Sequence, residues 1–225
     1  MSVPSESMSY ELDDVLPPAV LSAVDPGTNV LVTGPAMSGK RQLMLRMLAQ
    51  GARDGDGSVI VTSKDPAPDV VADFQSVMDD RDTYLRIIDT VSSQGGNDAV
   101  SDIVRTVNSP GDLTGIGIEF SEVARNADAD GIERLRIAFD SLTPLLMYVE
   151  LQRLFRFLHV FTSQIQSRNW LGLFAIDPDS HEEQVLNTVS QLFDGMLQIR
   201  LPETGGREVR ARGFTDSPTD WHPLE

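Results

Sequence analysis

Short apolar runs rich in β-branched residues alternate along this chain with segments whose apolar positions recur every three or four residues, the rhythm of strands and helices in turn. Asn29-Val-Leu-Val-Thr33 reads as a buried strand behind the Pro26-Gly27 turn, and Leu43, Met44, Met47, Leu48 and Ala52 then mark one face of a helix from Arg41 to Ala52. Ser58-Val-Ile-Val-Thr62 and Tyr84-Leu-Arg-Ile-Ile88 read as two further strands, the second ending in Asp89, with a helical segment around Pro68 to Phe74 between them. The polar, Gly/Ser-rich stretch from Thr90 to Thr114 carries Pro110-Gly111 and reads as a mobile excursion. Helical periodicity resumes from Ile116 to Arg125, and Arg134-Leu-Arg-Ile-Ala-Phe-Asp140 is an apolar strand ending in a carboxylate. Thr143, with Pro144 behind it, is expected to cap one long helix. Its apolar positions Leu146, Val149, Leu151, Leu154, Phe157, Leu158, Phe161 and Ile165 serve either the core or a subunit contact. Trp170 to Ile176 is the next strand, Ser180 and Glu183 suggest a capping box before a short helix through Leu192, and strands from Gly195 to Leu201 and Arg207 to Gly213 flank Pro202-Glu-Thr-Gly-Gly206 as a hairpin.

The alternation predicts an α/β fold, a mostly parallel central sheet with helices on both faces and a C-terminal β-hairpin. Residues 9–214 are expected to form one domain between an N-terminal tail, 1–8, and a polar C-terminal tail, 215–225, in which Trp221 either anchors onto the domain or meets a partner.

Charge changes the picture of partners. A formal net charge of -16 and a pI near 4.4 make the surface strongly negative, which disfavours nucleic acid and anionic membranes. Excess acid, scarce lysine and no cysteine together suggest adaptation to a salt-rich cytosol, where a Debye length of about 3 Å at molar salt relieves self-repulsion. The absence of cysteine excludes disulfides, thiolate zinc sites and a Cys nucleophile. The sequence shows no basic-apolar leader and no membrane-length apolar run, so a cytoplasmic location is expected.

The chemistry is concentrated in Gly34-Pro-Ala-Met-Ser-Gly-Lys40, which fits the first seven places of the phosphate-binding pattern G-x-x-x-x-G-K-[ST]. The loop follows a strand and opens a helix, so unsatisfied N–H groups and the helix dipole favour phosphate oxygens. Of 18 basic residues only Lys40 and Lys64 are lysines, and one of them stands at the place that reaches the β- and γ-phosphates. Gly34, Pro35, Ala36, Met37, Ser38, Gly39, Lys40, Arg41 and Gln42 are therefore the candidate nucleotide-binding residues. Asp140, on what reads as a neighbouring strand, is the candidate to hold Mg2+ through water, ahead of Asp89.

Taken in order, Gly34 to Lys40, Ile137-Ala-Phe-Asp140-Ser141-Leu142, Leu192-Phe-Asp194-Gly195-Met-Leu-Gln-Ile-Arg200 and Arg210-Ala-Arg212-Gly213-Phe214 resemble the motifs of KaiC-like ATPases in the RecA superfamily, and the acidic composition suggests a version similar to those of halophilic archaea. The resemblance spans most of residues 9 to 214. It implies a RecA-like phosphate-loop fold that binds ATP, often between subunits stacked in a ring. It also implies that Arg210 and Arg212 reach the nucleotide of a neighbouring subunit, where an arginine in trans stabilises phosphoryl charge.

Two departures bear on hydrolysis. Arg41 replaces the Ser or Thr whose hydroxyl holds magnesium, and a guanidinium has no acceptor atom. It is free to pair with a phosphate instead. Lys64-Asp65 replaces the family's pair of glutamates, which leaves Asp65 as the candidate base on a shorter side chain, in chemistry sensitive to displacements of about 1 Å. The reading that follows is an ATP-binding regulatory or assembly protein with weak or absent hydrolysis, forming a homo-oligomer or a complex with a partner protein. The alternatives are a competent magnesium-dependent ATPase and an interaction scaffold that has lost nucleotide. Recombinase activity is disfavoured because the excursion carries Asp98, Asp102 and Asp112 against one Arg105.

Overall fold

The computed structural model describes residues 9–78, 83–92 and 102–224. The strands are β1 (Tyr10–Glu11), β2 (Ala23–Val24), β3 (Asn29–Thr33), β4 (Gly57–Thr62), β5 (Leu85–Asp89), β6 (Val104–Thr106), β7 (Leu135–Phe139), β8 (Leu171–Ile176), β9 (Gly195–Arg200), β10 (Glu208–Arg212) and β11 (His222–Pro223). The helices are α1 (Lys40–Arg53), α2 (Ala67–Val77), α3 (Leu113–Ala129), α4 (Thr143–Tyr148), α5 (Leu151–Ser167) and α6 (Glu183–Ser190).

A nine-stranded sheet in the order β11-β10-β9-β3-β8-β7-β4-β5-β6 forms the centre, while β1 and β2 make a separate antiparallel pair. Pairings from β9 through to β6 are parallel, and only β9–β10 and β10–β11 are antiparallel. Every residue of β3, β4, β7 and β8 is buried, as expected of strands covered on both faces. One core contains Met44, Leu48, Val70 and Phe74 from α1 and α2. The other contains Ile116, Phe120, Leu145, Leu154, Phe161 and Val189 from α3 to α6. The predicted α/β class, parallel sheet and C-terminal hairpin are all present.

Several local expectations need correction. The helix predicted after Asp140 is two helices, because Val149 and Glu150 are extended. At roughly 100° per residue Leu145 and Leu154 would fall about 180° apart on one continuous helix. Both are fully buried in the same core, so the chain must break between them. Thr143 does not cap α4. Its hydroxyl accepts instead from the N–H of Asp177 at 3.0 Å. Ser180 forms no capping box, since Pro178–Ser180 is a 3-10 turn and the N-cap of α6 is Glu182. The stretch 90–114 contains the unpredicted β6 and the start of α3, and its middle, 93–101, lies outside the described residues, as does the predicted tail 1–8.

The C-terminal segment is packed against the domain. β11 pairs with β10 and forms one edge of the sheet, and Leu224 is buried. Trp221 lies against Arg200 and Arg210, with guanidinium carbons 4.3 and 4.5 Å from its ring centroid. Of the two roles open to Trp221, the anchor is the one seen. The motif residues Asp194, Gly195 and Phe214 also have structural work. The Asp194 carboxylate accepts from the N–H of Asn29 at 2.7 Å, tying β9 to the start of β3, and the Phe214 ring fills the space beside Gly195 that a Cβ would enter at 2.3 Å.

Candidate functional site

The loop between β3 and α1 turns on Gly39, whose φ of 86° lies in the left-handed region and is cheap only for glycine. At its other end, a Cβ on Gly34 would stand 2.9 Å from the carbonyl oxygen of Ile199, so β9 leaves room only for glycine there. The first turn of α1 has no acidic side chain, and its N–H groups have no intrahelical partner. The sequence places a helix N-terminus at the loop, and the fold leaves it beside a pocket of about 380 Å³.

Met37, Ser38, Gly39, Lys40, Arg41 and Gln42 line this pocket together with Asp140. Gly34 and Pro35 line a second pocket, of about 500 Å³, on which Arg210 and Arg212 also border. Ala36 lines neither. The predicted trans arginines thus lie beside the loop rather than over it. Arg210 donates to Gln198 at 2.8 Å and stacks on Trp221, while Arg212 is exposed.

Lys40 is the central cation. Its ammonium donates to the carbonyls of Gly34 and Pro35 at 2.6 and 2.8 Å and to Asp177 Oδ1 at 2.5 Å. Asp177 was not singled out from the sequence, although it ends the apolar strand β8 just as Asp140 ends β7. That pattern is the signal that would have found it. The Ser38 side chain is fully buried and its hydroxyl has no partner, an orphaned polar atom inside the loop.

Arg41 and Asp65 meet each other. The guanidinium pairs with the Asp65 carboxylate and with Asp73 Oδ2, the latter at 2.9 Å. Asp65 does not line the pocket. The two positions at which the sequence departs from the expected motifs, 41 and 65, therefore neutralise one another.

Asp140 is not on a strand adjacent to the loop strand, because β8 lies between β3 and β7. It is nevertheless drawn into the pocket lining, with burial pushing its carboxyl up and hydrogen bonds from Ser63 and Thr62 opposing that push. Thr62 Oγ1 stands 2.9 Å from Asp140 Oδ2 and 2.6 Å from the Asp65 carbonyl; Ser63 Oγ stands 2.9 Å from Asp140 Oδ1 and 2.6 Å from the Ser141 carbonyl. Two hydroxyl protons thus face four acceptors, and a proton on Asp140 would supply one more donor. Asp89 is occupied otherwise. Burial would raise it, but the Ser92 N–H and hydroxyl, then Ala67 and Val91 N–H groups, hold it below the usual carboxylate range and make it a cap for α2.

The donor set fits the phosphates of a nucleotide: a glycine-shaped loop, a helix N-terminus, a lysine and an unpartnered buried hydroxyl. It does not fit a directly ligated magnesium ion. Position 41 offers no oxygen, both oxygens of Asp140 are already engaged, and among the described residues no cluster of three His, Cys, Asp or Glu side chains could hold a metal. Among those residues, too, no helix is long and apolar enough to cross a membrane.

A KaiC-like protein from the hyperthermophilic archaeon Pyrococcus horikoshii OT3 has a similar structure, with a TM-score of 0.64 at 16% identity over 92% of this chain and 89% of that one. The likeness establishes a RecA-like fold. No match is found among curated proteins. The model of the family of unknown function DUF7504 matches residues 27–199, from the turn before β3 to the strand that closes the loop. With the match covering most of its length, the chain belongs to that family, DUF7504.

Proposed function

We propose that this protein binds ATP at the Gly34–Lys40 loop, hydrolyses it weakly or not at all, and acts as a nucleotide-dependent regulatory or assembly subunit. The observation that carries the reading is the Lys40 ammonium, held at the loop by two carbonyls and Asp177 in the pocket beside the α1 N-terminus. Phosphate oxygens exchange for those acceptors and gain the free N–H groups of the helix start. The ion pair between Arg41 and Asp65 supports the second half. A base bound to a guanidinium and set outside the pocket lining is poorly placed to activate a water there. The regulatory role rests on the fold shared with a KaiC-like protein and on a site equipped for binding rather than turnover.

Calorimetric titration with ATP in molar KCl, with steady-state hydrolysis and solution mass measured on the same sample, tests it. Micromolar binding lost in Lys40→Ala, negligible turnover and a mass change on adding ATP are expected. Magnesium-dependent turnover lost in Lys40→Ala would make the protein an ATPase, and no binding at all would leave a scaffold.

A further inference from the structure

We propose that Arg207 is a further phosphate-binding residue of this site, delivered in cis from the turn of the β9–β10 hairpin to the loop of its own chain. The proposal rests on the nucleotide reading above and names a contact beyond it.

Three observations carry it. Arg207 borders the same pocket as Lys40, although Gln42 and Arg207 are 165 positions apart in the chain. Its guanidinium lies against Gly39: a Cβ there would come within 2.6 Å of Nη1 and 3.1 Å of Cζ. Gly39 therefore serves the turn and also leaves the gap that Arg207 enters. Among the described residues Arg207 has no carboxylate partner, whereas Lys40 is paired with Asp177 and Arg41 with Asp65 and Asp73. Among the described residues the one polar contact of its guanidinium is a long 3.5 Å hydrogen bond to the Gln42 carboxamide.

In a chain of net charge -16, a cation held over a phosphate loop without a counter-charge is poised for an anion from outside. Lys40 is bonded to Gly34 and Pro35 at one end of the loop and Arg207 stands at Gly39, the other end, so the ligand that satisfies both is a polyphosphate. The placement is secured from behind. The carbonyl of Arg207 accepts from the N–H of Leu224 at 2.9 Å, and Leu224 is buried, so the C-terminal segment fixes the backbone that carries the guanidinium. Arg207 lies outside the residues that the family model matches.

The test is ATP titration in molar KCl of wild type, Arg207→Ala, Arg207→Lys and an equimolar mixture of Arg207→Ala with Lys40→Ala, with unfolding temperatures measured without nucleotide. The expected result is wild-type binding, weakened at least tenfold in Arg207→Ala, restored to within about threefold by Arg207→Lys, with unchanged unfolding temperatures and no rescue in the mixture. Binding of Arg207→Ala as tight as wild type would overturn the Arg207 contact and leave the nucleotide reading standing. Recovery in the mixture would overturn delivery in cis, and a wild type that binds no ATP would overturn both.

Discussion

Gly51→Ala should cost this protein a large part of its stability, although the same change in an ordinary helix is favourable. Gly51 is in α1, and a Cβ there would stand 2.0 Å from Nε, 2.5 Å from Cδ and 2.6 Å from Cζ of Arg136. Arg136 is 1% exposed and has nowhere to retreat without losing its Asp56 pair at 2.8 Å and its bonds to the carbonyls of Met47 at 2.9 Å and Glu11 at 3.1 Å. Breaking a buried pair of this kind costs about 3–5 kcal/mol. Alanine returns roughly 1 kcal/mol of helix propensity. The net loss is about 2–4 kcal/mol, out of a total of about 5–15 kcal/mol typical of a native domain. Equilibrium urea unfolding in molar KCl, followed by circular dichroism, measures it. Arg136→Ala is the control: it removes the Cδ, Nε and Cζ atoms that the new methyl meets, Asp56 keeps Arg134 at 2.7 Å, and adding Gly51→Ala to that background should be neutral or stabilising by about 1 kcal/mol. A Gly51→Ala protein as stable as wild type would show that Arg136 makes room without loss, and an equal loss in both backgrounds would show that Arg136 is not its cause.

Three other outcomes are expected. Asp177→Asn releases Lys40 from a competing carboxylate, and ATP should bind on the order of fivefold more tightly by calorimetry, as removal of a part-buried pair worth about 1 kcal/mol implies; weaker binding would mean that Asp177 positions the lysine. Asp140→Asn should raise the unfolding temperature of the nucleotide-free protein at pH 7. Because burial raises the folded carboxyl, wild type holds its full stability below the unfolded value and loses some as pH rises through the folded one, so the gain must shrink in acid; a gain that persists in acid contradicts this. Tyr10, whose hydroxyl donates to the Asn169 carbonyl, is pushed up by burial to about 12. Its contribution is complete below about pH 10 and fades as pH climbs through 12, a loss of roughly 3 kcal/mol that chemical denaturation should record for wild type and not for Tyr10→Phe.

The parts of this site that are local in sequence were legible, and those assembled by the sheet were not. Loop, strand and helix in order announce Gly34 to Lys40, since glycine conformation and helix start are encoded within a dozen residues. The break at Val149-Glu150 was also encoded, as a half-turn phase slip between Leu145 and Leu154, but an apolar census without phase hides it. Asp177 and Arg207 are different. Lys40 and Asp177 are 137 positions apart, and only the parallel placement of β8 beside β3 brings them together. The mutual pairing of Arg41 and Asp65 was beyond composition as well, because both read as substitutions in separate motifs until α1 and β4 are set side by side.

β11 has a consequence for how copies of this protein can associate. By pairing with β10 it takes up the outer row of hydrogen-bonding groups at that end of the nine-stranded sheet, and it does so with only two residues, one of them Pro223, which has no N–H to offer. That rim is closed to strand addition. Extension of the sheet into a ribbon of copies is disfavoured there, and removing the last few residues would expose a strand edge prone to aggregation.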